Sequence, residues 1–503
     1  MEHLLILISE ENPKFPSNLK FDTCQKCLSI FSIFNKSTLE KIKYRLRIFA
    51  EKLCDIFLDL DVCYGIIACK DPRQKVDFNK WKAEILKDKP LNYTNKEQSK
   101  NNKQHILQLS DIHLDLEYTE NSLADCSEYF CCRPESGSYP LDDKKKAKYW
   151  GTLAKCDIPL RTVEALLEDT KKKANIKAII WTGDNISHDV WHQNKTNQTL
   201  PQNEITNLIK TYTRELLFIL FLEIMNFTHV DNMIQIQKMI QLNGQNKKVQ
   251  KCGNNGQMKK LTIRYIIMVT ILNLIKAQIY DVIIIGHIPP GDNTCSSLWA
   301  MRYQVLIDRF ENTIKGQFFG HTHNDHIETV ISSSGEKRAV GSIFIAPSAT
   351  TYSYQNPSYR IFEFEGQTLI NYYQYRLDLE KANQRTDIMP AWDLAYNFKN
   401  EYGLIEVNNQ SIYELAFEKL VNDEAIIYKY ISHYYTGNTS LIPEKINESV
   451  RKGFQCMAQN VVFNDRFYCF GLYSIQYPME LLYQFLQALQ GKWFIWNDNK
   501  QLL

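Results

Sequence analysis

Residues 105–113, HILQLSDIH, run from a short apolar stretch straight into an aspartate and a histidine, Asp111 and His113. The same arrangement returns three times. KAIIWT (177–182) leads into Gly183-Asp184-Asn185, DVIIIG (281–286) into His287, and GQFFG (316–320) into His321-Thr322-His323. Each lead-in is rich in β-branched or aromatic residues, which predicts a strand. A single D-x-H or G-D-N is ordinary turn sequence, because Asp and Asn favour turns for backbone reasons. Four such pieces, each closing a predicted strand, point instead to carboxylates and imidazoles delivered from neighbouring strand ends into one cleft. Such a set can surround two divalent ions, as in a two-metal hydrolase.

Between these pieces the pattern changes to helical stretches such as Ile158 to Ala174. Strands alternating with helices predict an α/β layered core, assigned to 105–370. A polar stretch without apolar residues to bury, NYTNKEQSKNNKQ within 91–104, reads as a linker before it. Upstream, Leu39, Ile42, Leu46, Phe49 and Leu53 recur at steps of three and four, one apolar stripe with Lys and Arg opposite. That region also holds Cys24-x-x-Cys27, Cys54, Cys63 and Cys69. Downstream, 371–503 is rich in tyrosine and leucine and is expected to be helical. No internal repeat is visible.

Whole-chain properties narrow the class. With 503 residues, 44% of them hydrophobic, the chain is long enough for two or three domains. A net charge of +2 provides no polybasic field and points away from a nucleic-acid partner. No run of about 18 apolar residues predicts a transmembrane helix. The opening MEHLLILISEEN carries too short an apolar run for a secretory signal. The 13 cysteines, several closely spaced, argue the other way. So do nine N-x-S/T sequons, among them Asn35, Asn92, Asn194, Asn197, Asn226, Asn409, Asn438 and Asn447. Together they favour an oxidising lumen. The expectation is therefore a lysosomal or secreted glycoprotein whose signal peptide is missing from this sequence.

The motifs carry a specific resemblance. LSDIHLDLEY (109–118), WTGDNISHDVWHQ (181–193), IIGHIPPG (284–291), QFFGHTHNDH (317–326) and APSATTYSYQNPSYR (346–360) resemble the calcineurin-like metallophosphoesterases, and within them the acid sphingomyelinases. The resemblance covers 106–359. It implies a layered β-sandwich flanked by helices, with an N-terminal all-α saposin-like module (20–90, incomplete) and a helical C-terminal subdomain. It also implies two Zn2+ ions per chain, one held by Asp111, His113, Asp184 and His323. Asp184 would bridge to the second, completed by His287 and His321, with a hydroxide between the ions attacking phosphorus. His188 matches a family histidine that helps protonate the leaving alkoxide. Implied disulfides are Cys126–Cys131, Cys132–Cys156, Cys252–Cys295, Cys456–Cys469 and, in the saposin-like module, Cys54–Cys63. Cys24, Cys27 and Cys69 form an odd set without an assigned pairing.

One family block is missing. A G-N-H-E sequence, supplying an asparagine ligand and a catalytic histidine, belongs between the second and third motifs, and nothing between Trp191 and Gly286 matches it. Leu222 to Asn226 can be encoded TTG GAA ATC ATG AAT, and reading from the third base gives Gly-Asn-His-Glu. The expectation is a frame change, or an unremoved intron, across about 215–270.

The activity implied is zinc-dependent hydrolysis of sphingomyelin, or another phosphodiester lipid, to ceramide and phosphocholine. The saposin-like module would supply peripheral membrane contact through its apolar stripe. The alternatives are a related phosphodiesterase acting on nucleotides or other soluble phosphoesters, and a non-catalytic lipid-binding relative left weak by the missing block.

Overall fold

A computed structural model of the chain describes residues 78–87, 89, 103–137, 145–173, 176–189, 192, 195–212, 217–220, 282–295 and 297–470. The saposin-like module up to residue 77, Cys54, Cys63 and Cys252 lie outside these residues. So does most of the 215–270 stretch.

Among the described residues, ten strands form two mixed sheets. They are β1 (Lys103–Leu109), β2 (Ile176–Trp181), β3 (Leu217–Leu220), β4 (Val282–Ile285), β5 (Ile314–Phe319), β6 (His326–Ile331), β7 (Ala339–Ile345), β8 (Ser358–Glu365), β9 (Thr368–Arg376) and β10 (Asp393–Asn397). The six-stranded sheet has the order β10-β9-β8-β1-β2-β3, and the four-stranded sheet β4-β5-β7-β6. The strands that lead into the motifs pair in parallel, β1 with β2 and β4 with β5. Their C-terminal ends therefore point the same way within each sheet, which gathers the motif residues along one edge.

Side-chain alternation builds four layers. Along β1 and β2, Leu107, Leu109, Ile179 and Trp181 face one side, where they pack on α1 (Leu160–Lys171) and α2 (Lys195–Tyr212). Helix α1 presents Val163, Leu166 and Leu167, and α2 presents Ile205 and Ile209, spacings that put each group on one helical face. Ile106 and Ile180 point the other way, towards Phe318 and Phe344 of the four-stranded sheet. There Phe318 meets Phe362 with ring centroids 4.4 Å apart. The outer face of the four-stranded sheet, Ile284, Phe319, Ile343 and Ile345, is covered by Ala300, Tyr303 and Ile307 of α3 (Ser297–Arg309). The result is a mixed α/β fold: helices, sheet, sheet, helix.

The C-terminal segment shares this core. β9 and β10 extend the six-stranded sheet as far as Asn397. Beyond them lie α4 (Glu424–Tyr434), α5 (Glu448–Gln459) and α6 (Phe463–Phe470), together with shorter turns. Ile427, Tyr430, Ile431, Phe454 and Ala458 pack into the same cluster as Phe318 and Phe362. Among the described residues, three disulfides are present: Cys126–Cys131, Cys132–Cys156 and Cys456–Cys469. The last joins α5 to α6. Among the sequons, Asn438 is buried and its amide donates to the Tyr354 carbonyl at 2.8 Å. Among the described residues, no helix is long and apolar enough to cross a membrane.

Candidate metal centre

The parallel pairing of β1 and β2 continues past the strands as a zipper of backbone bonds. Thr182 N donates to Leu109 O (3.0 Å), Asp111 N to Gly183 O (3.0 Å), His113 N to Asp184 O (3.2 Å) and Leu114 N to Asn185 O (2.9 Å). Asp111, His113 and Asp184 are thereby fixed side by side. All three have left-handed backbone, with φ of 49°, 43° and 53°, and so do His321 (74°) and His323 (63°). A non-glycine residue pays roughly 1–3 kcal/mol for such a conformation, so the surrounding structure must impose it. Five such residues in one cleft mark a preorganised site.

Glycine permits the sheets to meet here. A Cβ on Gly320 would lie 1.9 Å from Ser110 Oγ and 2.5 Å from Asp111 Oδ2. With none, His321 N reaches Asp111 and donates to both carboxylate oxygens at 3.0 Å. Ser110 Oγ also donates to the Asp111 carboxylate.

The imidazole orientations follow from their fixed partners. Carbonyls only accept, so His113 Nδ1, 2.7 Å from Ile186 O, carries a proton, and so does His287 Nδ1, 3.1 Å from Thr182 O. Asp292 Oδ1 takes the Thr294 hydroxyl proton at 2.5 Å, so Thr294 Oγ1 accepts from His321 Nε2 at 3.0 Å. With the outer nitrogens donating, His113 Nε2, His287 Nε2 and His321 Nδ1 are the nitrogens that carry the lone pair of a neutral imidazole. All of them point inward. His113 Nε2 and His287 Nε2 lie 3.5 and 3.4 Å from Asp184 Oδ2. His321 Nδ1 is 3.2 Å from His287 Nε2, and His323 Nε2 is 3.3 Å from His113 Nε2. His287 Nε2 and His323 Nε2 also approach Asp111 Oδ1, at 3.8 and 3.7 Å.

Acceptors facing acceptors at these distances repel unless a cation lies between them. Burial lowers the proton affinity of His113, and the neighbouring His188 adds to that; Asp184 opposes it without reversing it. Burial, then His113 and His188, also drive His323 well below the ordinary histidine range. Burial alone would push Asp184 up, but His113 and His287 overturn it and hold the carboxyl well below the usual range. Neutral imidazoles that donate their outer N–H and aim a lone pair at an ionised carboxylate are the donor set a divalent metal requires. The residues fit. One donor atom each from Asp184, His287 and His321 lies within 4.8 Å of the others, and the same holds for Asp111, His113 and Asp184.

His188 stands at the margin of this group. Its ring stacks on His113 and on Tyr352, both at 3.8 Å between centroids. Nδ1 lies 2.8 Å from Asp157 Oδ1, and the backbone N donates to Asp157 Oδ2 at 2.7 Å. Burial disfavours its charged form, yet Asp157 more than offsets this and raises its pKa. A nitrogen of His188 also lies within 4.8 Å of those of His113 and His323, which makes it a possible donor to metal. Its carboxylate partner suits it better to holding a proton. Asp157 is fully buried and receives a further bond from Thr350 Oγ1 (2.8 Å).

Other residues here have no motif to announce them. Asp157 leaves only one trace, a charge inside the apolar run Cys156-Asp-Ile-Pro-Leu. Arg133 follows the paired Cys131 and Cys132, and clamps Asp115 (2.9 and 3.0 Å) and Asp189 (2.6 Å). It thereby joins the loops that carry His113 and His188. Of the disulfide positions expected from the sequence, Cys295 is described and its named partner Cys252 is not.

Residues 338–465 match the acid sphingomyelin phosphodiesterase C-terminal region family. The chain is 29% identical to sphingomyelin phosphodiesterase B of Dictyostelium discoideum, over 66% of this chain and 59% of the relative. It is 30% identical to the Homo sapiens sphingomyelin phosphodiesterase, over 59% of this chain and 55% of the relative. A Bos taurus cyclic GMP-AMP phosphodiesterase is 27% identical over 41% of this chain and 48% of the relative. The chain thus spans somewhat over half the length of the two sphingomyelin phosphodiesterases.

Proposed function

We propose that this chain belongs to the acid sphingomyelinase-like family and, from that premise, that it is a metal-dependent phosphodiesterase cleaving sphingomyelin to ceramide and phosphocholine. The observation that carries the reading is the convergence of imidazole nitrogens on the Asp184 carboxylate. Asp111, His113, Asp184 and His323 would hold one zinc ion, and Asp184, His287 and His321 a second. A bound divalent cation supplies Lewis-acid polarisation of a phosphoryl oxygen and lowers the pKa of water towards neutrality.

The chain's own residues do the rest. Asp184 stays ionised far into acid, so the site keeps its negative charge in an acidic lumen. Outer hydrogen bonds from His113 and His287 to backbone carbonyls fix ring planes before substrate arrives. His188 holds a proton through Asp157 and would give it to the departing ceramide oxygen. Its pKa is raised, so the proton is present on the acid side and lost as pH rises through that value. Lysosomal or secreted placement is proposed on the three disulfides. Membrane contact through the saposin-like region is part of the same proposal. The missing asparagine and histidine are proposed to lie in another frame of the transcript near 215–270.

The test is to sequence the transcript, express the chain it encodes, and compare sphingomyelin vesicles with a soluble nucleotide diester, before and after chelation. The reading predicts chelator-sensitive hydrolysis of the vesicles that exceeds hydrolysis of the nucleotide. Preference for the nucleotide would assign the chain to soluble diesters instead. No hydrolysis of either, with metal supplied, would overturn the enzyme reading. An in-frame transcript reproducing Leu222 to Asn226 would end the frame-change proposal.

A further inference from the structure

Glu328 lies on β6, behind the site, and is fully buried. Its Oε2 accepts the Gly291 backbone N–H at 3.1 Å, and its Oε1 accepts Arg466 NH2 at 2.7 Å. Gly291 belongs to the loop between His287 and α3. In that loop Asp292 N donates to Pro289 O (3.1 Å) and Cys295 N to Asp292 O (3.1 Å), so it is a tight double turn. The same loop delivers Asp292 and Thr294, which set the proton on His321. A Cβ on Gly291 would fall 2.0 Å from Arg466 NH2 and 2.6 Å from Glu328 Oε1, so only glycine lets the guanidinium close over this turn. Arg466 comes from α6, and its Nε donates to Asn460 O at 3.1 Å. Cys456–Cys469 ties α6 back to α5.

We infer that Arg466 is a positioning residue for the His287–His321 half of the metal centre, acting through Glu328 and Gly291. The inference rests on the metal-centre reading proposed above. The C-terminal helix pair is thus a brace as well as a cover: its partly buried guanidinium fixes a carboxylate, the carboxylate fixes a turn, and the turn orients the His321 imidazole. Loosening residues that orient metal-bound histidines typically costs about 10–100-fold in metal affinity.

The experiment is zinc titration of the full chain against a competing chelator, with circular dichroism as a check on folding. Wild type, Arg466→Met and Gly291→Ala are compared well below their melting temperatures. The inference expects both variants to keep one tight ion and to bind the other about 10–100-fold more weakly, with excess zinc restoring the lost occupancy. Reduction of Cys456–Cys469 should weaken the same ion. Should Arg466→Met not fold, Arg466→Gln, which retains an N–H donor, takes its place in the comparison. Two ions bound by the variants as tightly as by wild type would overturn the inference while leaving the metal centre intact. A wild-type chain that binds no zinc would instead overturn the metal-centre reading itself.

Discussion

The two sheets deliver their halves of the site by different means. The six-stranded sheet presents Asp111, His113 and Asp184 on a backbone zipper between adjoining parallel strands, with all three residues in left-handed conformation. The four-stranded sheet presents His287 and His321 from β4 and β5; a backbone carbonyl, Thr182 O, orients His287, and the Asp292–Thr294 side-chain pair orients His321. Backbone holds the first half; in the second, a side-chain relay holds His321. The difference teaches where the site can be tuned, because a relay can be cut by one substitution and a backbone zipper cannot.

Asp184 belongs to both halves, so Asp184→Asn should have the largest effect. Its loss removes a carboxylate oxygen that lies within 3.5 Å of both His113 Nε2 and His287 Nε2. Hydrolysis of sphingomyelin vesicles should fall on the order of a thousandfold, the scale of several kcal/mol of lost charge stabilisation. Equal activity in the variant would dissolve the idea of a shared anchor.

Thr294→Val sharpens the contrast between the halves. It leaves His321 Nε2 without its hydroxyl acceptor, so zinc affinity at the His287–His321 half should drop about 10–100-fold. The Asp111–His113 half should be unaffected in the same titration. Loss spread evenly over both ions would mean that the halves are not independently held.

The smallest effect concerns stability and lies outside the ligand set. His326 is buried, and burial, assisted by Arg466, lowers its pKa to about 3. The unfolded chain takes up that proton near 6.5 and the folded one does not. Its contribution is therefore present above about 6.5 and lost as pH falls towards 3. Between pH 7 and pH 5 the wild-type chain should lose on the order of 1–2 kcal/mol through this group. His326→Gln should show a correspondingly flatter dependence in denaturant titrations. An unchanged pH dependence would remove His326 from the account.

How much of this could be read from the sequence depends on how local the cause is. Strand-end motifs were legible because the turn chemistry and the apolar lead-in sit within a few residues of each other, as in QLSDIH and IIWTGD. The left-handed backbone at Asp111 and Asp184 was not legible: it arises from pairing between β1 and β2, some seventy residues apart. Sheet order was hidden for the same reason, since nothing near β1 announces that β8 lies beside it. Asp157, Arg133 and Arg466 are ordinary charges in the sequence. Only the folded chain shows Asp157 bonded to His188, Arg133 joining the loops of His113 and His188 through Asp115 and Asp189, and Arg466 bonded to Glu328.

The most direct measurement is the number of divalent ions held by the purified chain encoded by the natural transcript, by elemental analysis after dialysis against metal-free buffer. Two bound ions per chain in the wild type, and fewer in Asp184→Asn, are the predicted result. A wild-type chain that retains none, and takes up none when zinc is returned, would contradict it.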